Sequence, residues 1–405
     1  MHRFIVGLML ILSFILFTSP GRCESVQRKF IIGGYVGPHQ TEEQYRLYKE
    51  AGFTTVLDFP WEGDKYQKTL ELAEKVGGLD VIFSIDQQFL LYKPEPFVPY
   101  ERITKFIKEV RNNKVVLGYN LFDEPQEKHI ALLVAAGKYI RSLEPDKLTW
   151  ISFFLHNDKL ARSILEQFTP TVISSPEYPY RPKDNNFEEL YHILETYRDI
   201  AIKFRTPLWL YVQSSSWPWP QNHDDDRRLP NSAEIRMQVY ANLAYGAKGL
   251  WYYTYVTPRH AKGVTSVILD KDDKIKPEYS GIKAINTEVL ALAPVLMTLN
   301  SVDVMHVKPN IKGVKPFIPN NIIANIEGGN LLVGCFKDTS GGDYFMIVNK
   351  LTNSANNNIR IMFQAKVAGL SRIDRATGRP VKHRISNGST VVKLGPGDGM
   401  LFKVN

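Results

Sequence analysis

Cysteine is almost missing from this chain: 405 residues hold two, Cys23 and Cys335. A disulfide framework is therefore excluded, as is any Cys-x-x-Cys metal or redox pair. The nine histidines are scattered without a His-x-x-x-His spacing, so no metal site is expected. Glycine is present, but the first strand-like run ends in Gly33-Gly34 without a Gly-x-Gly-x-x-Gly, which argues against a dinucleotide cofactor. No cofactor is expected. Basic residues exceed acidic ones, for a net charge of +8, yet no block of five or six lysines and arginines occurs, so the excess reads as a solvated surface and not as a nucleic-acid footprint.

Long apolar runs are also scarce. The N-terminus alone reads as one: Met1-His2-Arg3 leads into an apolar stretch from Phe4 to Phe17, then Thr18-Ser19-Pro20-Gly21. That order predicts an export signal over residues 1–23, too short to span a bilayer comfortably. Cys23 stands where an acylated lipoprotein cysteine would, although Arg22 occupies the small-residue position before it. A lipid anchor at Cys23 and simple cleavage nearby both remain open. No later stretch approaches about 20 apolar residues, so the mature protein is expected to be exported (periplasmic, secreted or surface-anchored) without a membrane span.

With 44% hydrophobic and 23% charged residues, the chain can bury a full core. Short apolar runs alternate with stretches of helical period, the pattern of βαβ units around a parallel sheet. Eight pairs are predicted. The strands are Phe30–Tyr35, Thr55–Phe59, Leu79–Ile85, Val115–Phe122, Leu148–Phe153, Val172–Ser175, Leu208–Gln213 and Gly249–Tyr253. The helices are Glu42–Ala51, Tyr66–Val76, Tyr100–Asn112, Gln126–Leu143, Lys159–Gln167, Phe187–Phe204, Ala233–Tyr245 and Tyr279–Thr298. Thr41 and Gln44 have capping-box spacing, and Gly52 and Gly77 close the first two helices. Eight pairs in about 270 residues predict a (β/α)8 TIM barrel over 27–300. From 301 to 405, alternating runs such as Leu331–Phe336, Tyr344–Val348, Ile359–Phe363 and Met400–Val404, separated by Gly-Gly, Asn-Ser and Asn-Gly turns, predict an antiparallel β-sandwich accessory domain.

Active residues of such barrels lie at the C-terminal ends of the strands, so the strand ends become the candidates. They supply Asp58 and Trp61, Asp86, Asn120, Asp123 and Glu124, Glu177 and Tyr178, Gln213 and Trp217, and Tyr253 and Tyr255. Cleaving a glycosidic bond takes two carboxyl groups, one protonating the leaving oxygen and one acting as nucleophile or base. Aromatic rings offer flat faces to a sugar and amides hold its hydroxyls, so this inventory points to an oligo- or polysaccharide. On the loop after the seventh strand, Trp217-Pro218-Trp219 reads as a stacking platform or as loop packing. Asp224-Asp225-Asp226 lacks the alternation of a calcium loop and reads as a solvated turn.

The stretch Gly118-Tyr119-Asn120-Leu121-Phe122-Asp123-Glu124-Pro125 resembles the Asn-Glu-Pro signature after the fourth strand of clan A glycoside hydrolases, with Asp123 in place of the asparagine. That resemblance implies Glu124 as the proton donor. The same three residues also suit a helix cap. Clan A places its nucleophile after the seventh strand, which here reads Leu208 to Trp217 without an acid. The nearest substitute is Glu177, two strands and roughly 10 Å away by sheet spacing, a separation compatible with an inverting base. Asn231 to Tyr255, with Ala244-Tyr245-Gly246-Ala247-Lys248-Gly249, is similar to the last helix and strand of the β-galactosidase-related families. There Glu234 and Arg236 are candidate glycan or carboxylate partners alongside Gln213, although Glu234 also reads as a cap. The sequence thus predicts a glycoside hydrolase with Glu124 as general acid and Glu177, or in reserve Asp58 or Asp123, as second carboxylate. Tyr119 joins Asp58, Trp61, Asn120, Asp123, Tyr178, Gln213, Trp217, Glu234, Arg236 and Tyr253 as expected substrate contacts. Two other readings stay open: a glycan-binding barrel without its nucleophile and, more distantly, a polysaccharide lyase.

Overall fold

The computed structural model describes residues 27, 29–59, 65–90, 98–154, 156–259, 261–308 and 311–405, so the predicted signal, Cys23 and Trp61 lie outside the described residues. Eight parallel strands close into a barrel: β1 Ile31–Tyr35, β2 Thr55–Asp58, β3 Asp80–Ser84, β4 Val116–Asp123, β5 Leu148–Ser152, β6 Val172–Ser175, β7 Leu208–Gln213 and β8 Gly249–Tyr253. Closure is made by β8 running beside both β7 and β1, with Ile31 level with Gly249 and Tyr35 level with Tyr253. The intervening helices are α1 Glu42–Glu50, α2 Tyr66–Val76, α3 Tyr100–Val110, α4 Ile130–Leu143, α5 Asp158–Gln167, α6 Phe187–Phe204, α7 Ser232–Ala244 and α8 Glu278–Thr298. Each expected barrel strand and helix is present, and most ends shift by a residue or two. The largest shift is at α4, whose first residues form a separate 3-10 turn, Glu127–His129.

Two local expectations need correction. Thr41 does accept from the Gln44 N–H, but Gln44 returns no bond and its Oε1 is buried without a partner, so the box is half made. α8 is by length and composition apolar enough to cross a membrane, which the sequence did not suggest. It serves instead as the eighth barrel helix, its Asn286 amide donating to the Ala51 carbonyl and accepting from the Tyr252 hydroxyl.

The barrel lumen is filled by indoles. Trp150, Trp209 and Trp251 are fully buried and mutually in contact, with Trp150 and Trp251 stacked at 4.7 Å between ring centroids. Such bulk needs space on the facing strands, and glycine supplies it. A Cβ at Gly33 would stand 2.4 Å from the Trp251 ring, and one at Gly249 2.6 Å from Trp209. Tyr35 sits against Trp150 and Trp251 edge-on, at 6.2 and 6.0 Å, so the tryptophans support the ring above them.

Beyond the barrel follow two antiparallel sheets. One has six strands: β9 Asn300–Val307, β11 Leu331–Lys337, β12 Asp343–Asn349, β14 Leu370–Ile373, β15 Pro380–His383 and β17 Gly399–Val404. The other has three: β10 Ile323–Glu327, β13 Asn356–Phe363 and β16 Ser389–Leu394. Between the sheets lies a core of Met305, Phe345, Ile359, Phe402 and their neighbours. The opposite face of the larger sheet merges with the barrel's helix layer through Leu332, Phe336, Met346 and Leu401. Glycines bring the backbones together: a Cβ at Gly334 would fall 2.2 Å from the Ala244 carbonyl oxygen, and one at Gly397 2.1 Å from that of Ala233. Polar groups are buried in the same seam. Lys350 donates to His306 Nδ1 at 3.3 Å and lies 5.7 Å from the Tyr191 ring, and burial pushes its pKa down to about 7.

Candidate active site

The acidic pair is delivered by an irregularity in β4. Asn120 lies level with Trp150 and Asp123 with Ser152, with a bulge between Asn120 and Phe122. Residues three apart on a regular strand face opposite sides. Here the extra residue lets Leu121 and Phe122 both enter the outer core, and Asp123 returns to the lumen side beside Ser152. Glu124 follows with φ +54°, its N–H donating to the Ser152 carbonyl at 2.8 Å, and the chain then leaves the barrel.

Asp123 is gripped from two directions. Its Oδ1 accepts from the Tyr35 hydroxyl at 3.0 Å, Tyr35 accepts from Tyr211 at 3.0 Å, and Tyr211 shares a 2.9 Å bond with Ser152. Its N–H donates to Asp86 Oδ2 at 2.8 Å, while Asp86 Oδ1 accepts from Ser84 and Gln87. Around the pair stand Tyr178, Trp217 and Tyr253, with centroids 4.9 to 5.4 Å apart, and Tyr253 is 6.1 Å from Tyr35.

This setting keeps protons on acids. Burial pushes Glu124 up to about 7, although the residue remains open to water. Asp123 is raised well above the usual carboxylate range, by desolvation first and then by Glu124 and Asp86, while the Tyr35 and Ser152 hydroxyls pull the other way. Asp86 is pushed up to about 6 by burial, against its hydrogen bonds. Burial, then Asp123, holds the Tyr35 phenol far above its ordinary value, so it acts as a hydrogen-bond donor and not as a nucleophile.

Glu177 is placed differently from the expectation. It is 3% exposed, no side chain hydrogen-bonds its carboxyl, and its charged surroundings are Glu189, Arg227 and Arg181. Burial and then Glu189 push it up to about 8. A group sealed in this way has no place for the water that an inverting base must activate. The loop above it is tied down. Trp217 and Arg227 exchange backbone bonds, Arg181 pairs with Asp225 at 2.7 Å, Lys183 with Asp224 at 2.6 Å, and Asp226 accepts from the Trp219 N–H. The acidic triplet is therefore a clamp more than a solvated turn.

Several other candidates turn out to serve the framework. Gln213 is buried, its amide accepting from the Tyr180 N–H and donating to the Tyr180 and Arg228 carbonyls, which leaves nothing for a sugar. Glu234 caps α7 together with Asn231 and takes both Arg228 guanidinium nitrogens. Arg236 pairs with Glu288 of α8 and Asp398 of the sandwich, at the domain seam. Tyr119 belongs to the outer core on the helix side of β4, and Tyr255 packs on Tyr48 and Phe53. Asn120 lies in the lumen below the mouth, fully buried with its amide unpartnered. Asp58 is held beneath the surface by Thr69 at 2.5 Å and Gln88 at 3.3 Å. Asp123, Glu124, Tyr178, Trp217 and Tyr253 are brought together. Tyr35, Tyr211 and Ser152 were missed, although the period-2 parity Ile31, Gly33, Tyr35 and Trp209, Tyr211 pointed both tyrosines inward.

The same fold occurs in solved glycoside hydrolases. A family 5 glycoside hydrolase from Bacteroides vulgatus matches with a TM-score of 0.57 at 12% identity, over 93% of this chain and 89% of that one. The family 30 subfamily 8 xylanase of Clostridium acetobutylicum matches with a TM-score of 0.50 at 13% identity, over 93% and 95%. A β-galactosidase from the psychrophilic Marinomonas matches at 0.51 and 12% identity over 66% of this chain, which spans only 62% of that protein. At such identities the likeness is one of fold, a closed parallel barrel followed by antiparallel sheets. No protein-family model and no curated protein matches the chain.

Proposed function

We propose that the protein hydrolyses O-glycosidic bonds of an exported or external oligo- or polysaccharide, with Glu124 as general acid. The observation that carries this reading is the Glu124 carboxyl, water-accessible at the end of β4 beside the Tyr178 and Tyr253 rings and holding its proton up to about pH 7. A general acid works best when its pKa lies near the working pH, and a partly desolvated carboxyl next to a second acid meets that condition. Tyr178, Trp217 and Tyr253 offer ring faces to a sugar, and Asp123 an acceptor for its polar groups.

A second reading, a glycan-binding barrel without catalysis, is favoured by one observation: among the described residues the end of β7 presents no acid to the mouth. The two separate in one assay. Wild-type protein incubated with a panel of polysaccharides and aryl glycosides is expected to release reducing ends or aglycone, and Glu124→Gln is expected to release none while still binding. Binding by the wild type without any release would favour the second reading.

A further inference from the structure

A glycosidase needs a group on the sugar face opposite its acid, either a nucleophile or a base for water. Among the described strand ends no carboxylate is seen to take that place. Gln213 is spent on backbone, Ser214 donates to the Thr254 carbonyl and Ser215 to that of Tyr253. Asp58 and Asp86 are buried among their own donors, Glu177 is sealed under the Trp217 loop, and Glu234 is locked to Arg228. Among the described strand ends, the carboxylate that stands beside Glu124 is Asp123. It is carried by the preceding residue and so approaches a bound sugar from the same wall.

We propose that the missing nucleophile is supplied by the substrate, which is a 2-acetamido-2-deoxy-β-glycoside whose acetamide oxygen attacks C1 while Asp123 holds the acetamide N–H. This inference rests on the hydrolase reading above. The Tyr35 and Ser152 hydroxyls fix the Asp123 carboxyl and Asp86 anchors its backbone N–H, so that a carboxyl of set orientation, each oxygen of which can accept more than one bond, faces such a donor. The rings of Tyr35, Tyr178, Trp217 and Tyr253 wall the same space, as an acetamide methyl requires.

In the first step the acetamide oxygen bonds to C1 as the glycosidic C1–O bond breaks, and the leaving oxygen takes the proton of Glu124. The cationic five-membered ring so formed carries its N–H against the Asp123 carboxyl, and its positive charge favours the ionised form of that acid. Water then bonds to C1 and passes a proton to Glu124 while the ring C1–O bond opens, restoring the acetamide and the acid. One water is consumed, the anomeric configuration is retained, and no cofactor takes part.

The test uses wild-type protein with 4-nitrophenyl β-glycosides of N-acetylglucosamine and N-acetylgalactosamine, each beside its 2-hydroxy counterpart, and with the N-trifluoroacetyl analogues. Expected are cleavage of an acetamido sugar about 100-fold or more above the 2-hydroxy sugar, retention by early proton NMR, and a fall of about tenfold or more on fluorination, because the weakened oxygen is the nucleophile. Asp123→Asn is expected to lower kcat by about 10²-fold on the acetamido substrate. Equal or faster cleavage of 2-hydroxy glycosides, or indifference to fluorination, would overturn the inference and leave the hydrolase reading standing. So would loss of that activity in Glu62→Gln, Asp64→Asn or Glu95→Gln, whose residues lie outside the described set. Failure to cleave any glycoside would sink both.

Discussion

Glu124 and Glu177 are the same residue type at the ends of two barrel strands, both pushed above the carboxylate range by burial, to about 7 and about 8. Their surroundings nevertheless assign them opposite work. Glu124 is reached by water and faces tyrosine rings shared with Asp123. Glu177 is sealed, without a side-chain partner, and hemmed by Glu189, Arg227 and Arg181. A raised pKa by itself therefore does not mark a catalytic acid, because the proton must also have somewhere to go.

The contrast can be broken most sharply by amide substitution. Glu124→Gln should lower kcat by about 10²–10⁴-fold, with unchanged circular dichroism, while Glu177→Gln should stay within about tenfold of wild type. The basic limb of the wild-type pH–rate profile should fall near pH 7, where Glu124 loses its proton, and Glu177→Gln should leave it in place. Loss of rate in both variants would erase the distinction. A smaller effect is expected at the rings: Trp217→Ala should raise KM by about tenfold with little change in kcat, as for a lost stacking face.

Stability should separate the two glutamates again. The folded-state pKa of Glu177 is raised from 4.5 to about 8, so the folded protein binds the extra proton, and the associated stability is complete below pH 4.5 and lost as pH rises through about 8. Glu177→Gln should remove that slope, shrinking the drop in Tm between pH 5 and 8.5 by on the order of 5 °C. Lys350 at the domain seam should behave with the opposite sign. Its folded pKa is depressed from 10.5 to about 7, so the unfolded chain binds more protons between those values and stability should rise with pH across that window. Lys350→Met should flatten the rise, by about 2–4 °C in Tm.

The barrel was legible because its signals are local and repeated: strand, helix and turn residues alternate eight times, and each boundary rests on its own neighbours. Gly33-Gly34, too little for a nucleotide site, could not disclose its role beforehand, since Gly33 answers to Trp251 more than two hundred residues away. The candidate site was legible at Asp123, Glu124, Tyr178, Trp217 and Tyr253 because strand ends project into the mouth. It was misread where a polar residue has a closer partner. Glu234 followed Asn231 at capping-box spacing and used its carboxylate there, and Gln213 spent its amide on the loop beside it. The bulge in β4 escaped because register belongs to two strands at once, and no pattern within one of them shows it.

Gly334 and Gly397 rest directly on the carbonyls of α7, without side chains between them. Main chain lying on main chain leaves no cushion to compress and no surface to slide upon, so the C-terminal sheets cannot work as a detachable module. Heating should melt barrel and sandwich in one cooperative event, and a chain cut near residue 299 would bare a helix shaped to fit a partner that is no longer there.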